Sequence, residues 1–413
     1  MSRKDKSKTD PPGCWWELFI LASAMLMGMT TWFSATAIVP QLENVWDISS
    51  TRAAWLTIAV QAGFIVGALG SVILTIADRV LPRYLVFYGA SGAAFVNVLL
   101  LIAPNFTSVL LLRFITGVFL AAVYPPAMKA MATWFRVRRG TALGIMIGAL
   151  TLGSASPYLI NGLGGLDWRV VIVATSILTL LGGCLAGFVA KDGPYPFPKA
   201  NFDPRMALRV FRHRGVRYAC LGYFGHMWEL YAMWAWFSVF ILDTLNIHGV
   251  SNAGSLSSLI TFVVIGVGAL GCLIGGVIGD RKGREESTII SMGLSGVCAL
   301  SIGFMQEVSL PLVIIIALIW GVWIVADSAQ FSAAVTEVAP QEYVGTALTM
   351  QLAVGFILTI PTIWLIPVVE NAFGWKYAFT ILAVGPLLGI LAMRGLMNLE
   401  SSEKIKPGSI KGD

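Results

Sequence analysis

The 413-residue chain is 57% hydrophobic and only 12% charged, with a formal net charge of +6 and a mean hydropathy of +0.78. A soluble domain carries roughly 25% charged residues, so the composition excludes a soluble globular protein. The basic residues fall in loops beside apolar runs, which excludes a nucleic-acid footprint. Five cysteines (Cys14, Cys184, Cys220, Cys272, Cys298) lack disulfide or metal spacing, and His213, His226 and His248 are too scattered for a metal centre.

In chain order, a short basic segment precedes an apolar run from Trp15 to about Val39. That run exceeds the hydrophobic core of a signal peptide and reads as a retained first span. Apolar runs of about 20 residues predict twelve spans in an all-α membrane protein. The first six cover about 15–39, 54–77, 83–103, 107–131, 140–162 and 168–190. The last six cover about 217–243, 254–278, 286–305, 310–335, 343–369 and 374–397. Residues 1–190 therefore form one six-helix bundle and 217–400 another. Between them 191–216 is a Pro-rich basic linker, and 401–413 is a tail. With the N-terminus inside, 24 of the 28 Lys and Arg residues lie on the cytoplasmic side, and only Arg52, Arg169 and Lys376 on the outer side. This asymmetry puts both termini in the cytoplasm, and the expected location is a bacterial-type inner membrane.

Between the second and third runs stand Asp78, Arg79 and Arg83; between the eighth and ninth stand Gly276, Asp280, Arg281, Gly283 and Arg284. Gly140-Thr-Ala-Leu143 recurs 205 residues later as Gly345-Thr-Ala-Leu348, and Asp167-Trp168-Arg169 is echoed 207 residues later by Gly374-Trp375-Lys376. Parallel repeats of one bundle follow. The second charged turn, Gly-x-x-x-Asp-Arg-x-Gly-Arg, resembles the signature of the major facilitator superfamily of secondary transporters. In the first copy Leu74, Leu81 and Pro82 replace two of its glycines and an arginine. The resemblance implies two pseudo-symmetric six-helix bundles with a ligand site near the midplane between them, and a cavity lined by spans one, four, seven and ten. It also implies an inner gate governed by the charged turns, which stabilise the outward-open state.

A charge at lipid depth is costly unless it meets a partner or water, so such residues are functional candidates. Here they are Arg113 in span four, His226 and Glu229 in span seven, and Asp327 in span ten; Lys129 at the inner end of span four can snorkel. His226, Glu229, Met233 and Trp236 share one helical face, and Trp320, Trp323, Asp327 and Gln330 repeat that spacing. An aromatic stripe alone reads as core packing; with an acid in it, it reads as a cavity wall. Arg113 followed by Gly117 resembles the superfamily's span-four pattern, and an arginine there must meet water, a carboxylate or an anionic ligand; a structural ion pair would serve equally. Glu229 is the expected carrier of the coupling proton, with Asp327 and with His226 modulating it. Arg113, Tyr124, Trp32, Tyr231, Trp236, Trp320, Trp323 and Gln330 are the expected ligand-binding residues.

The drug-antiporter element Gly-Pro-x-x-Gly-Gly is missing from span five. The junction Trp134-Phe135-x-x-Arg138-Arg139-Gly140 is similar to that of carriers of cyanate, monocarboxylates and related anions. The expected function is transport of a small organic anion coupled to protons, by a monomer that needs no cofactor. An exporter of lipophilic cations is the alternative, and a non-transporting membrane sensor or assembly factor on the same scaffold a second. No phosphate loop, metal cluster or nucleophile elbow suggests an enzyme.

Overall fold

The computed structural model describes residues 9–165, 167–195, 211–340 and 344–404, without the side chains of Ala77, Asp78 and 400–404. Most of the linker, the tail from 405 and the side chain of the expected gate residue Asp78 therefore lie outside the described residues. Among the described residues eleven helices are long and apolar enough to cross a membrane, and Cys14–Gly28 is a shorter apolar one. We label them α1 (Cys14–Gly28), α2 (Ser50–Ile73), α3 (Pro82–Ile102), α4 (Phe106–Ala132), α5 (Arg139–Leu163) and α6 (Trp168–Val189). The second set is α7 (Arg214–Ile247), α8 (Ala253–Lys282), α9 (Arg284–Met305), α10 (Leu310–Val338), α11 (Val344–Phe373) and α12 (Trp375–Leu399). Helices are the natural outcome, because backbone N–H and C=O groups in lipid must be satisfied within the segment.

Helix starts at one end of the molecule carry side-chain caps. Ser49 accepts from Arg52 N, Asn105 from Ser108 N, Asp167 from Arg169 N and Ser309 from Leu312 N, opening α2, α4, α6 and α10. At the other end lie the loops rich in Lys and Arg, hereafter the basic end.

Helix pairing in the first half recurs in the second. α1 packs on α5 and α6, α2 on α4, and α3 on α4 and α6; α7 packs on α11 and α12, α8 on α10, and α9 on α10 and α12. The crossings are close because glycines occupy them. A Cβ on Gly63 would overlap the carbonyl of Phe114 where α2 meets α4, and one on Gly271 would overlap that of Val322 where α8 meets α10. Between halves, α5 packs on α8 and α2 on α11.

The sequence predicts an unbroken first span to about residue 39, and the structure corrects this. α1 ends at Gly28, and irregular turns follow until a short 3-10 turn at Thr36–Ile38 and a helix at Val39–Trp46. Threonines compete with the helical ladder there: Thr30 Oγ1 donates to Met27 O at 2.9 Å and to Thr175 O of α6 at 3.0 Å. α4 loosens at Ala121–Val123, and α10 is interrupted at Asp327, 205 residues after Ala122.

Candidate functional site

The ends of the two halves away from the basic end are sewn together. Tyr158 Oη donates to Trp234 O at 2.8 Å, and Asn161 Nδ2 donates to Ser258 Oγ at 2.9 Å. Below them sits an aromatic plug. Trp32 and Phe33, from the irregular segment after α1, meet Phe64, Tyr231, Trp234 and Phe356 with ring centroids 4.9–6.2 Å apart.

Under the plug lies a cavity of about 390 Å³ whose lining runs towards the basic end, as far as Val72, Ala132, Arg139 and Gly345. α2, α4, α5, α7, α10 and α11 supply its walls, while no residue of α1 or α8 does. The resemblance pointed to spans one, four, seven and ten; span one contributes only the plug behind Phe64 and Tyr231. The wall is mostly apolar, and its neutral polar groups include Ser71, Tyr124, Tyr223, Tyr231, His226, Ser328, Ser332, Thr349 and Gln351. Lys129 and Arg139 stand towards the mouth, and among the described residues no carboxylate lines the cavity.

One acid reaches that wall through an intermediary. His226 Nδ1 lies 2.9 Å from Asp327 Oδ1, and its Nε2 lies 2.9 Å from Ser328 Oγ. Both His226 and Asp327 are buried, yet His226 and Ser328 line the cavity. The imidazole therefore bridges the cavity surface and a carboxylate behind it. The break in α10 makes this possible, because it turns Asp327 and Ser328 to opposite sides of one imidazole on α7.

Glu229 is placed differently. Its carboxylate accepts from Trp320 Nε1 at 2.7 Å and from Ser295 Oγ at 2.9 Å, in the interior of the second half among α7, α9 and α10. It does not line the cavity, and among the described residues no basic side chain pairs with it. His226 is thus the neighbour of Asp327 rather than of Glu229.

Arg113 is also away from the cavity and fully buried. Its Nη1 donates to Thr31 O at 3.0 Å, Ser34 Oγ at 3.1 Å and Asn97 Oδ1 at 3.2 Å, and its Nη2 donates to Trp32 O. The carbonyls of Thr31 and Trp32 are left open by the break after α1, and the guanidinium fork satisfies them. Arg113, expected to bind the ligand, does not meet the cavity, and among the described residues it forms no ion pair with Glu229 or Asp327 either. The physical reason is the unwound backbone, whose carbonyls offer a closer and fully satisfying acceptor set.

Tyr124 and Tyr231 line the cavity as expected, and Trp32 belongs to the plug. The remaining expected ligand residues do not line it. Trp236 Nε1 donates to Ile363 O at 2.8 Å, joining α7 to α11. Trp320 holds Glu229, Trp323 is half-buried elsewhere on α10, and Gln330 accepts from Arg284 Nη1 at 3.0 Å. That stripe faces the bundle interior because α7, α9 and the α8–α9 turn pack against it. Tyr223, one turn before His226, was missed, although its spacing places it on the same stripe.

The charged turns are built unequally. Arg284 meets Asp280 at 2.9 Å and Glu337 at 3.3 Å, tying the α8–α9 turn to the end of α10. Gly283, at φ 100°, makes that turn in a conformation only glycine takes freely. A Cβ on Gly140 would stand 3.7 Å from both Asp280 carboxylate oxygens, so Asp280 faces the first turn of α5 in the other half, where an anion is favoured. Gly276 has open space beside it and Arg281 is exposed. In the first copy, Arg79 is exposed and Arg83 pairs with Asp192 at 3.3 Å and donates to Ala190 O at 3.2 Å, a contact within its own half.

Near the mouth, Asp10 accepts from the backbone N–H groups of Arg136, Val137 and Arg138 at 2.8–3.1 Å. Burial pushes its pKa up, but these backbone donors and the Arg138 charge outweigh it and hold the carboxyl below the usual range.

Comparison with known proteins agrees with this architecture. The sequence profile described as Major Facilitator Superfamily matches residues 20–362. The "MFS transporter asaE" of Aspergillus flavus is 26% identical over 76% of this chain and 70% of its own length. The "Fujikurins efflux protein" of Gibberella fujikuroi is 26% identical over 63% of this chain and 55% of its own, so the chain spans about half of that relative. The "Gallate transporter" of Pseudomonas putida is 23% identical over 77% of each chain. Among solved structures, a bacterial homologue of the human lysosomal transporter Spinster, described as inward-facing and unoccupied, superposes with a TM-score of 0.72 at 16% identity. That match covers 94% of this chain and 99% of the other, and it shows the fold.

Proposed function

The chain belongs to the Major Facilitator Superfamily, a family of membrane transporters, and from that premise we propose that it carries a small organic anion together with protons. The observation that carries this reading is the wall of the cavity: neutral hydrogen-bond donors, two cations towards the mouth and no carboxylate among the described residues. A lipophilic cation entering such a space would meet no compensating carboxylate among the described residues, whereas an anion gains the guanidinium of Arg139. The volume falls within the range of ~300–1,000 Å³ usual for small-molecule sites. One relative named above carries gallate, an aromatic acid anion, which fits the same reading.

The basic end faces the cytoplasm by the Lys and Arg bias, so the conformation described is open inward and the aromatic plug closes the outer side. The coupling proton resides on the His226–Asp327 pair; among the described residues Asp327 is the buried acid in contact with a cavity-lining group that can pass a proton. Glu229, screened from the cavity by its own bundle, holds α7, α9 and α10 together. Asp280 at the first turn of α5 and the Arg284 cluster form the inner gate. Efflux of an anion by proton exchange uses the same parts, and relatives named as efflux proteins keep that direction open to test.

The test is uptake into proteoliposomes of radiolabelled benzoate and of tetraphenylphosphonium under an imposed pH step, above the rate of protein-free vesicles. The account expects transport of the acid only, with the double variant Lys129→Ala, Arg139→Ala raising KM for it. Transport of the cation alone would overturn it.

A further inference from the structure

Three tyrosine hydroxyls open into the cavity, Tyr124 from α4 and Tyr223 and Tyr231 from α7. Among the described residues none has a protein hydrogen-bond partner, and none is sealed from the cavity as an orphaned buried atom. This is unlike Tyr158 above the plug, whose hydroxyl donates to Trp234 O at 2.8 Å. Hydroxyls of half-buried or buried tyrosines normally find acceptors. All three line the one cavity, Tyr124 from the first half and Tyr223 and Tyr231 from the second.

Next to them is a seat of rings. Phe64 and Phe356 approach at 4.7 Å between centroids, Tyr231 and Phe356 at 5.2 Å, and Phe64 and Tyr124 at 6.5 Å. The rings come from α2, α4, α7 and α11, so both halves contribute. Tilted rings at such spacings offer faces and edges to a further ring, which gains more from them than an aliphatic body of equal area.

We propose that the ligand is a planar aromatic acid, its acid group held by the hydroxyls of Tyr124, Tyr223 and Tyr231 and its ring seated against Phe64, Phe356 and Tyr231. The inference rests on the anion-carrier reading and narrows it. Neutral hydroxyls suit a carrier, because they grip an anion without the fixed charge that would hold it against release. Arg139 then draws the anion in from the mouth rather than seats it.

The experiment is equilibrium binding to the purified full chain of three probes: benzoate, cyclohexanecarboxylate and tetraphenylphosphonium. Benzoate should bind about tenfold more tightly than cyclohexanecarboxylate, which matches it in charge and nearly in size. Tyr124→Phe, Tyr223→Phe and Tyr231→Phe, each keeping its ring, should each weaken benzoate binding by roughly tenfold, the loss of one hydrogen bond to a charged group. Phe64→Leu leaves the hydroxyls in place and should erase the preference for the aromatic acid, which keeps the test open if a tyrosine variant fails to fold. Equal affinity for the two acids, or benzoate binding unmoved in the tyrosine variants, overturns the proposal while the carrier reading stands. Binding of tetraphenylphosphonium with neither acid bound overturns the carrier reading and this inference with it.

Discussion

The two halves solve one packing problem with different chemistry. In the first, α1, α3 and α4 meet around Arg113, which is bonded to Asn97, Ser34 and the carbonyls of Thr31 and Trp32. In the second, α7, α9 and α10 meet around Glu229, bonded to Ser295 and Trp320. Trp320 stands 207 residues after Arg113, the offset at which the Asp167 turn recurs. The first knot is a permanent cation on broken backbone and cannot exchange a proton. The second half adds a histidine of α7 on the cavity wall, with the acid at the α10 break behind it. One knot is therefore a fixed cation on backbone, whereas the other half pairs an acid with an imidazole at the cavity wall, although their helices pair alike.

The largest effect that would break this contrast is at Arg113. Arg113→Leu takes the guanidinium from the buried carbonyls of Thr31 and Trp32 and from Asn97 Oδ1 and should cost about 1–3 kcal/mol for each acceptor left unsatisfied, read as a fall in thermal stability and monodisperse yield. Arg113→Lys should not rescue it, because an ammonium lacks the planar fork that reaches both carbonyls. A well-folded Arg113→Leu protein that had lost only ligand binding would return Arg113 to the cavity.

Next in size is the titrating pair. Asp327→Asn and His226→Ala should fold, bind ligand and exchange it, yet lose the stimulation that a one-unit pH step gives, about tenfold for one proton per anion. Glu229→Gln should be mild, below about 1.5 kcal/mol, because its amide oxygen still accepts from Trp320 and its NH₂ can donate to Ser295. Glu229→Leu, which removes both partnerships, should be the more damaging; thermal melts of the two separate a structural acid from a proton carrier.

The smallest effect is at Asp10. Its depressed pKa means that its strap on the α4–α5 loop contributes fully at neutral pH and above its unfolded value, and is lost only as pH falls through the lowered folded value. Asp10→Asn should cost less than about 1 kcal/mol at pH 7, as for exposed charge contacts. The difference from wild type should vanish in melts at strongly acidic pH.

Much of this fold was legible because its signals are local. Span positions follow from apolar runs, and the duplication follows from markers such as Gly140-Thr-Ala-Leu143 and its copy at Gly345. The break after Gly28 was not legible: it carries no proline, and the donor that sustains it, Arg113, lies 85 residues beyond. For the same reason Arg113 reads as a ligand group in sequence and as a backbone partner in space. Helical spacing grouped His226 with Glu229, whereas the turn at Asp327 swings that acid to His226 and leaves Trp320 to Glu229. Periodicity finds a polar face but not which neighbour it meets, so Tyr124, Tyr231 and His226 fell on the cavity while Trp236, Trp320 and Gln330 packed inside the second half and Trp323 stayed half-buried.

The claim that the second half holds the coupling proton on His226 and Asp327 is tested most directly by comparing two rates in reconstituted vesicles. These are proton-driven uptake and counterflow exchange of labelled benzoate, measured in Asp327→Asn and Glu229→Gln. The account predicts that Asp327→Asn keeps exchange and loses proton-driven uptake, while Glu229→Gln keeps both. Loss of proton-driven uptake in Glu229→Gln, with Asp327→Asn behaving as wild type, would contradict it.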